Sequence, residues 1–269
     1  MTRTERSFRL VGQSYRVLMQ DKELMVLPLF SGVLTAAVMA SFFFGFSLNP
    51  DVLSRRDPVM YLPLFLMYVV VYTVGIFFQA AIVAGATERM KGGDPTIGSA
   101  LAAAGQRIGP IVLWAVVAAT VGVILRAISE RVGFVGKIIT GLLGVAWSLA
   151  TFFVVPVLVL ERRPVGDSFK RSLSVFKDTW GETVVWSGGV GMVAYLAWIT
   201  LVAIVVLLAW AGAGFAALLA GAIGAVTLVI FFSALHAVYV ASLFRYATEG
   251  HVTNGFDDAL FAEAFKEKR

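Results

Sequence analysis

The sequence predicts an all-α membrane protein, a polytopic bundle of six transmembrane helices. Three observations predict this fold class. Of the 269 residues, 59% are apolar and only 14% are charged, whereas soluble domains carry roughly 25% charged residues. The apolar residues form six runs, each long enough to cross the ~30 Å hydrocarbon core of a bilayer as a helix. The basic residues are concentrated in alternate connections between these runs, which is typical of membrane proteins.

The six predicted spans form a single membrane domain, residues 1–269, with short connections. The spans cover about residues 24–48, 61–86, 108–128, 138–160, 184–209 and 215–244. Only five residues, from Trp210 to Gly214, separate the last two spans. We expect a tight helical hairpin that breaks near Gly212, because backbone polar groups in lipid have to be bonded internally.

Lysine and arginine divide unequally between the two sides of the predicted bundle. Seventeen of the 22 basic residues lie in the N-terminus, in the 87–107 and 161–183 connections and in the C-terminal tail. The other five lie in the remaining connections. Cytoplasmic segments carry the excess of basic residues in membrane proteins. We therefore expect a multi-pass protein of the cell membrane, inner or plasma, with both termini in the cytoplasm.

A similar pattern follows each even-numbered span and indicates a pseudo-threefold repeat. It consists of an acidic residue at the helix exit, a turn rich in helix breakers and an amphipathic segment; the acids are Glu88, Glu161 and Glu249. We interpret each unit as an interfacial amphipathic helix, lying in the headgroup plane, followed by two spans. The predicted interfacial helices cover about residues 4–20, 96–107, 167–180 and 254–266. The alternative is that short connections between spans look amphipathic by chance.

Two short segments carry a resemblance to known membrane proteins. Residues 155–161 read Val-Pro-Val-Leu-Val-Leu-Glu, and residues 167–172 read Asp-Ser-Phe-Lys-Arg-Ser. This combination resembles the membrane domain found beside some glycerophosphodiester phosphodiesterases, and related bacterial six-span proteins of unknown function. The resemblance implies a six-helix membrane domain. It does not carry over the phosphodiesterase activity, because the chain contains no such catalytic domain.

Reactive groups are scarce in the spans, and the sequence predicts no catalytic residue, no cofactor and no metal site. The chain has no cysteine and two histidines. Gln79 and His236 are the deepest strongly polar residues, so they are candidates for lining a polar cavity open to the cytoplasm. The competing interpretation is an ordinary interhelical hydrogen bond. Small residues in the last span favour close helix packing; they are Ala213, Ala217, Gly221 and Gly224.

The densest basic cluster lies in the 161–183 connection and is a candidate contact for lipid headgroups. Its members are Arg162, Arg163, Lys170, Arg171 and Lys177. A basic residue near an anionic leaflet contributes about 1 kcal/mol to membrane attraction. The equal alternative is that these residues only set the topology. Nucleic acid is not an expected partner, because the basic residues are split among short connections.

Three functions remain open from the sequence. The first is a non-catalytic membrane protein that interacts with lipids, including anionic ones, or with a protein partner or a second copy, through its cytoplasmic interfacial helices. The second is a transporter or channel for a small solute, with a cytoplasm-facing cavity reaching Gln79 and His236. The third is a membrane enzyme acting on lipid through Glu88, Glu161 and Glu249. These acids more readily pair with neighbouring arginines or cap neighbouring helices, so we do not assign enzyme activity.

Overall fold

The computed structural model describes residue 12 and residues 14–48 and 61–250, and at 46–48, 61 and 178–190 it describes the backbone alone. The described residues form helices and turns without a strand. Residues 14–20 are helical, Lys22–Met25 is a 3-10 helix and Val157–Glu161 is a π-helix. The α-helices are α1 Val26–Leu48, α2 Tyr61–Met90, α3 Ile97–Gly105, α4 Ile108–Arg131, α5 Phe134–Ala150, α6 Val154–Pro156, α7 Val165–Trp210 and α8 Gly214–Glu249.

Six helical segments of the described chain are long and apolar enough to cross a membrane. They are Lys22–Gly45, Leu62–Met90, Ile108–Arg131, Phe134–Glu161, Gly191–Trp210 and Gly214–Glu249. The all-helical class with six candidate spans is therefore confirmed. The orientation of the termini and the threefold repeat stay predictions.

Proline positions explain where most of these helices begin. Five prolines lie just before a helix or in its first turn, where a missing N–H is tolerated and φ is already helical; they are Pro28, Pro63, Pro95, Pro110 and Pro164. Pro156 is different, because it lies inside the fourth predicted span. Its ring clashes with the carbonyl four residues earlier, at Phe152, and removes one helical hydrogen bond.

The fourth predicted span, 138–160, is consequently interrupted. Helix α5 ends at Ala150, residues 151–153 form a turn, and α6 and the π-helix continue to Glu161. The turn keeps some hydrogen bonds that span three residues instead of four, such as the one from the Phe152 N–H to the Leu149 carbonyl at 3.3 Å. The chain therefore remains helical overall but changes its hydrogen-bond register across the interruption.

The predicted interfacial segments differ in how they continue into the spans. Helix α3 is a separate short helix whose bounds, Ile97–Gly105, nearly coincide with the predicted segment 96–107. The predicted segment 167–180 and the predicted span 184–209 instead form one uninterrupted helix, α7. No proline lies between 165 and 210, and interior glycines weaken a helix by about 1 kcal/mol each without ending it. The predicted helix 4–20 is described only in part, and 254–266 lies outside the described residues.

The chain divides into two compact units. Unit 1 contains Met1–Pro28, Gly85–Ile97 and Lys177–Arg269, and unit 2 contains Leu29–Ala84 and Gly98–Phe176. In unit 1 the core includes Leu18, Leu24 and most of α8 from Ala234 to Arg245. In unit 2 the core includes Phe153–Val159, part of α4, and buried residues of α2 that precede Gly85.

The helical hairpin predicted around Gly212 is present in unit 1. Gly212 adopts a φ of 79° between α7 and α8, a left-handed conformation that glycine reaches without a Cβ clash. The two helices approach closely at small residues of α8, because a Cβ built on Gly221 lies 3.4 Å from Val205 and one on Gly224 meets Leu201. The small residues of the last span therefore serve helix packing.

Candidate functional site

Arginine side chains join two turns in unit 2, and this contact is the candidate site. The first turn, Gln106–Arg107, separates α3 from α4; the second, Arg162–Pro164, separates the π-helix from α7. Arg107 Nε donates to the Leu158 carbonyl at 3.0 Å, and its Nη2 donates to the Arg163 carbonyl at 2.8 Å. Arg162 Nη2 donates to Gln106 Oε1 at 3.0 Å. We call these two turns and the start of α7 the junction.

The backbone of the second turn is fixed by residues on both of its sides. Arg162 has a φ of 54°, in the left-handed region. Pro164 precedes the first residue of α7, and its carbonyl accepts the Ser168 N–H at 2.8 Å. The Ser168 hydroxyl, which is fully buried, donates to the Arg163 carbonyl at 3.3 Å. These hydrogen bonds hold the backbone of the turn, and with it the bases of the Arg162 and Arg163 side chains, in a defined geometry.

Glu161 is the acidic centre of the junction. One carboxylate oxygen accepts from Arg163 Nε, and the other accepts from Arg171 Nε at 3.0 Å. The Glu161 side chain is 20% exposed, while those of Arg163 and Arg171 are 47% and 33% exposed. Both guanidinium groups thus have a fixed carboxylate partner and still reach solvent.

Ser172 connects the start of α7 to the interruption in the fourth span. Its fully buried hydroxyl accepts the Phe153 N–H at 3.1 Å and donates to the Ala150 carbonyl at 2.7 Å. These are backbone groups that a continuous helix would have bonded internally. The two buried serines of the Asp-Ser-Phe-Lys-Arg-Ser segment therefore stabilise the turn and the interruption.

An aromatic cluster packs beside these serines in unit 2. Trp114, Trp147 and Phe169 have ring centroids separated by 5.7–6.4 Å. Trp114 is buried, and the other two rings are half-buried. The three rings come from α4, α5 and α7. Each such aromatic pair adds about 0.5–1.5 kcal/mol beyond its buried area, so the cluster stabilises the packing of these helices within unit 2.

The five predicted headgroup residues are distributed unevenly. Four of them, Arg162, Arg163, Lys170 and Arg171, lie in unit 2 within the second turn and the first two turns of α7. Lys177 is exposed further along α7 and belongs to unit 1. Arg107 belongs to the same junction, although the sequence did not identify it. Contact of any of these residues with lipid stays a prediction.

The three helix-exit acids do not occupy one common structural position. Glu88 is exposed, and its carbonyl accepts the Gly93 N–H at 3.0 Å. Glu249 pairs with Arg245, whose side chain is 4% exposed, at 2.7 Å. Glu88 and Glu249 belong to unit 1, whereas Glu161 belongs to unit 2. The left-handed residue follows the acid by four positions at Gly92 but by one position at Arg162 and Gly250.

A second ionic cluster, absent from the sequence prediction, lies in unit 1. Arg89 at the end of α2 forms a two-pronged ion pair with Asp21, and it also pairs with Asp94. Asp21 is 6% exposed and Asp94 is 91% exposed. Since Asp21 directly precedes the 3-10 helix, this pair connects the N-terminal segment to the end of α2.

The two candidate cavity residues have different surroundings. Gln79 is half-buried in unit 2, and His236 is exposed on α8 in unit 1. A cavity reaching both residues stays a prediction. Among the described residues, no group of three or more His, Cys, Asp or Glu side chains is placed to hold a metal ion.

Six long apolar helices define this molecule as a multi-pass α-helical membrane protein. The chain belongs to the family of unknown function DUF6159, whose model matches residues 58–256. The family match does not link the chain to the glycerophosphodiester phosphodiesterases. A search of the curated proteins found no match, and a search of the solved structures found none.

Proposed function

We propose that this protein binds anionic phospholipid headgroups at the junction of unit 2, on the side predicted to be cytoplasmic. The observation that carries the proposal is the bonding of Arg107, Arg162, Arg163 and Arg171 within two connected turns. These turns flank long apolar helices, and the ends of helices that cross the hydrocarbon core lie near the phosphate groups of a bilayer. We further propose that the role is non-catalytic.

The charge of the junction favours an anionic ligand. Five basic residues lie at 107 and in 162–171, against the two acids Glu161 and Asp167, which leaves a formal charge of +3. Each basic residue near an anionic leaflet contributes about 1 kcal/mol, so three unpaired charges correspond to roughly a hundredfold preference over neutral lipid. Salt reduces this preference, because the charges are partly exposed.

The hydrogen-bond geometry also supports phosphate as the recognised group. Arg163 and Arg171 each donate from Nε to Glu161, and neither side chain makes another hydrogen bond within the described residues. Arginine presents further donors on Nη1 and Nη2 in a planar fork that matches phosphate oxygens. A headgroup can therefore bind at the outer edge of the guanidinium groups without displacing Glu161.

Lipid retention by the purified protein tests the proposal. The protein in detergent is mixed with equal amounts of phosphatidylglycerol and phosphatidylcholine of identical acyl chains, and bound lipid is counted by native mass spectrometry. The test variant changes Arg162, Arg163 and Lys170 to Gln. The matched control changes two arginines and one lysine that are exposed at the other ends of α4 and α5: Arg126, Arg131 and Lys137.

We expect the wild type and the matched control to retain phosphatidylglycerol preferentially. The test variant should lose at least tenfold of this preference, because three charges of about 1 kcal/mol each are removed. Equal retention of both lipids by the wild type, or equal losses in the two variants, would contradict a headgroup site at the junction.

A transporter is the second candidate, and one observation favours it. Interrupted spans form substrate and ion sites in many transporters, where unwound carbonyls coordinate the cargo. The interruption of the fourth span at residues 151–153 is the observation that favours transport. The Ser172 hydroxyl bonds the Ala150 carbonyl and the Phe153 N–H there, so a cargo that uses these groups has to displace it. Solute flux into proteoliposomes, lost on Gln79→Ala without loss of folding, would support transport over lipid binding.

A further inference from the structure

The arginines of the junction fall into two classes that a count of charges does not separate. Arg163 and Arg171 have Glu161 as a carboxylate partner. Arg107 donates to two backbone carbonyls, and Arg162 donates to the neutral amide of Gln106. Within the described residues, no carboxylate forms an ion pair with either Arg107 or Arg162. In the described structure, the junction therefore contains two guanidinium groups to which no carboxylate is paired.

These two arginines belong to the same pair of turns. Arg162, in the second turn, donates to the side chain of Gln106 in the first turn. Arg107, next to Gln106, donates to the carbonyl of Arg163 in the second turn. The two positive charges thus lie across one turn-to-turn contact and repel each other. An anion with two charges relieves this repulsion more effectively than one with a single charge.

The backbone at Arg162 provides independent support. Three described residues next to the exits of α2, the π-helix and α8 adopt the left-handed conformation, and two of them are Gly92 and Gly250. The third is Arg162, with a φ of 54°. A side chain in this region costs roughly 1–2 kcal/mol relative to glycine, and such strain is commonly found at ligand-binding positions. The arginine side chain therefore occupies a position where the backbone alone favours glycine.

We infer that the junction selects lipids whose headgroup holds two negative charges, such as a terminal phosphomonoester, through Arg107 and Arg162. This inference rests on the proposed function and names the ligand class of the same site. Glu161 contributes to the selection because it already neutralises part of the charge on Arg163 and Arg171. A singly charged phosphodiester engages one of the two free guanidinium groups, and a doubly charged headgroup engages both.

Two lipids with identical acyl chains test the inference. Phosphatidic acid has a phosphomonoester that carries nearly two charges at about pH 8 and about one charge at about pH 5, because the second pKa of a phosphomonoester is about 6. Phosphatidylglycerol carries one charge at both values. We expect the wild type to retain phosphatidic acid about fivefold more than phosphatidylglycerol at the higher pH, since one further charge contributes about 1 kcal/mol. The difference should disappear at the lower pH.

A matched pair of variants assigns the selection to one class of arginine. Arg162→Gln and Arg163→Gln remove the same charge from adjacent exposed residues. Arg162→Gln should bring the ratio of the two lipids close to one. Arg163→Gln should weaken the retention of both lipids and leave their ratio within twofold of the wild type. Arg162→Gly should lose the selection as well while unfolding at the wild-type temperature or above it, because glycine relieves the backbone strain.

The outcomes separate this inference from the proposed function. Equal retention of phosphatidic acid and phosphatidylcholine would contradict both. Strong retention of both anionic lipids in a ratio near one, or equal loss of the ratio in the two glutamine variants, would contradict the selection and leave the headgroup site standing. Complete displacement of bound lipid by millimolar inorganic phosphate would show that the site takes a soluble anion, and would overturn the inference.

Discussion

Replacing Ser172 by alanine tests whether the interruption in the fourth span depends on one hydroxyl group. In the native protein that hydroxyl bonds the Phe153 N–H and the Ala150 carbonyl, and the serine is fully buried. Alanine fits the same space but removes both bonds. The change therefore alters hydrogen bonding at the interruption with little effect on packing.

The structure gives the expected loss of stability. A buried polar group that loses its partner costs about 1–3 kcal/mol, and Ser172→Ala removes a partner from one donor and one acceptor. Ala150 is half-buried, so its carbonyl should contribute at the lower end. We expect the free energy of unfolding to fall by about 2–4 kcal/mol, which lowers the unfolding temperature by roughly 5–10 °C for a chain of this size.

Thermal unfolding in detergent, followed by tryptophan fluorescence, measures this change. Ser174→Ala is the matched control, because Ser174 lies on the exposed side of the same helix and should change stability by less than about 0.5 kcal/mol. The loss of stability in Ser168→Ala should fall between the two, since the Ser168 hydroxyl makes a longer hydrogen bond, at 3.3 Å. Equal unfolding temperatures for the Ser172 and Ser174 variants would refute the role assigned to the hydroxyl.

Three further predictions concern the ion pair, the hairpin and the topology. Asp21→Asn should lower stability by about 3 kcal/mol, because it breaks a largely buried ion pair, whereas Asp94→Asn should cost less than about 1 kcal/mol at an exposed position; both are measured by thermal unfolding, and equal losses would contradict the assignment. Gly212→Ala should cost about 1–2 kcal/mol, since its φ of 79° disfavours a Cβ; an unchanged unfolding temperature would contradict this. Because the chain has no cysteine, single cysteines at Lys137 and Lys170 should be labelled from opposite sides of sealed vesicles, and labelling from the same side would refute the predicted topology.

Hydropathy was sufficient to predict the helical class and the number of candidate spans. Apolar length alone decides whether a helix can cross a bilayer, and the break near Gly212 followed from the breakers between the last two runs. Small residues at Gly221 and Gly224 were also correctly assigned to helix packing. These features depend on residues that are close in sequence, which is why a one-dimensional pattern contains them.

The interruption at 151–153 has a local signal, Pro156, whose effect was not predicted. Proline near a span end costs little when its free carbonyl reaches the headgroups, so an intact span was a reasonable expectation. The consequence depends on Ser172, which lies on a different helix and supplies the missing partner. Hydropathy does not indicate which serine is buried against which backbone group.

The bonding of the junction was equally beyond the sequence pattern. Arg107 and Leu158 are 51 positions apart, and the basic cluster was predicted from the 161–183 connection alone. The pairing of Asp21 with Arg89 spans 68 positions. Such pairs depend on how connections meet in space, and the charge pattern of either segment gives no information about the other.

The different residues at the helix exits sharpen the interpretation of the predicted repeat. Gly92 and Gly250 meet the backbone requirement of their turns without side chains, whereas the turn after the π-helix uses Arg162 for the same conformation. If the three exits descend from one unit, the proposed headgroup binding distinguishes the second of them from the other two. Arginine there combines a strained backbone with a guanidinium whose side-chain partner, within the described part of the chain, is a neutral amide. A neutral amide could be bonded equally well by a neutral side chain, so the charge of Arg162 is the property that the proposed headgroup binding explains.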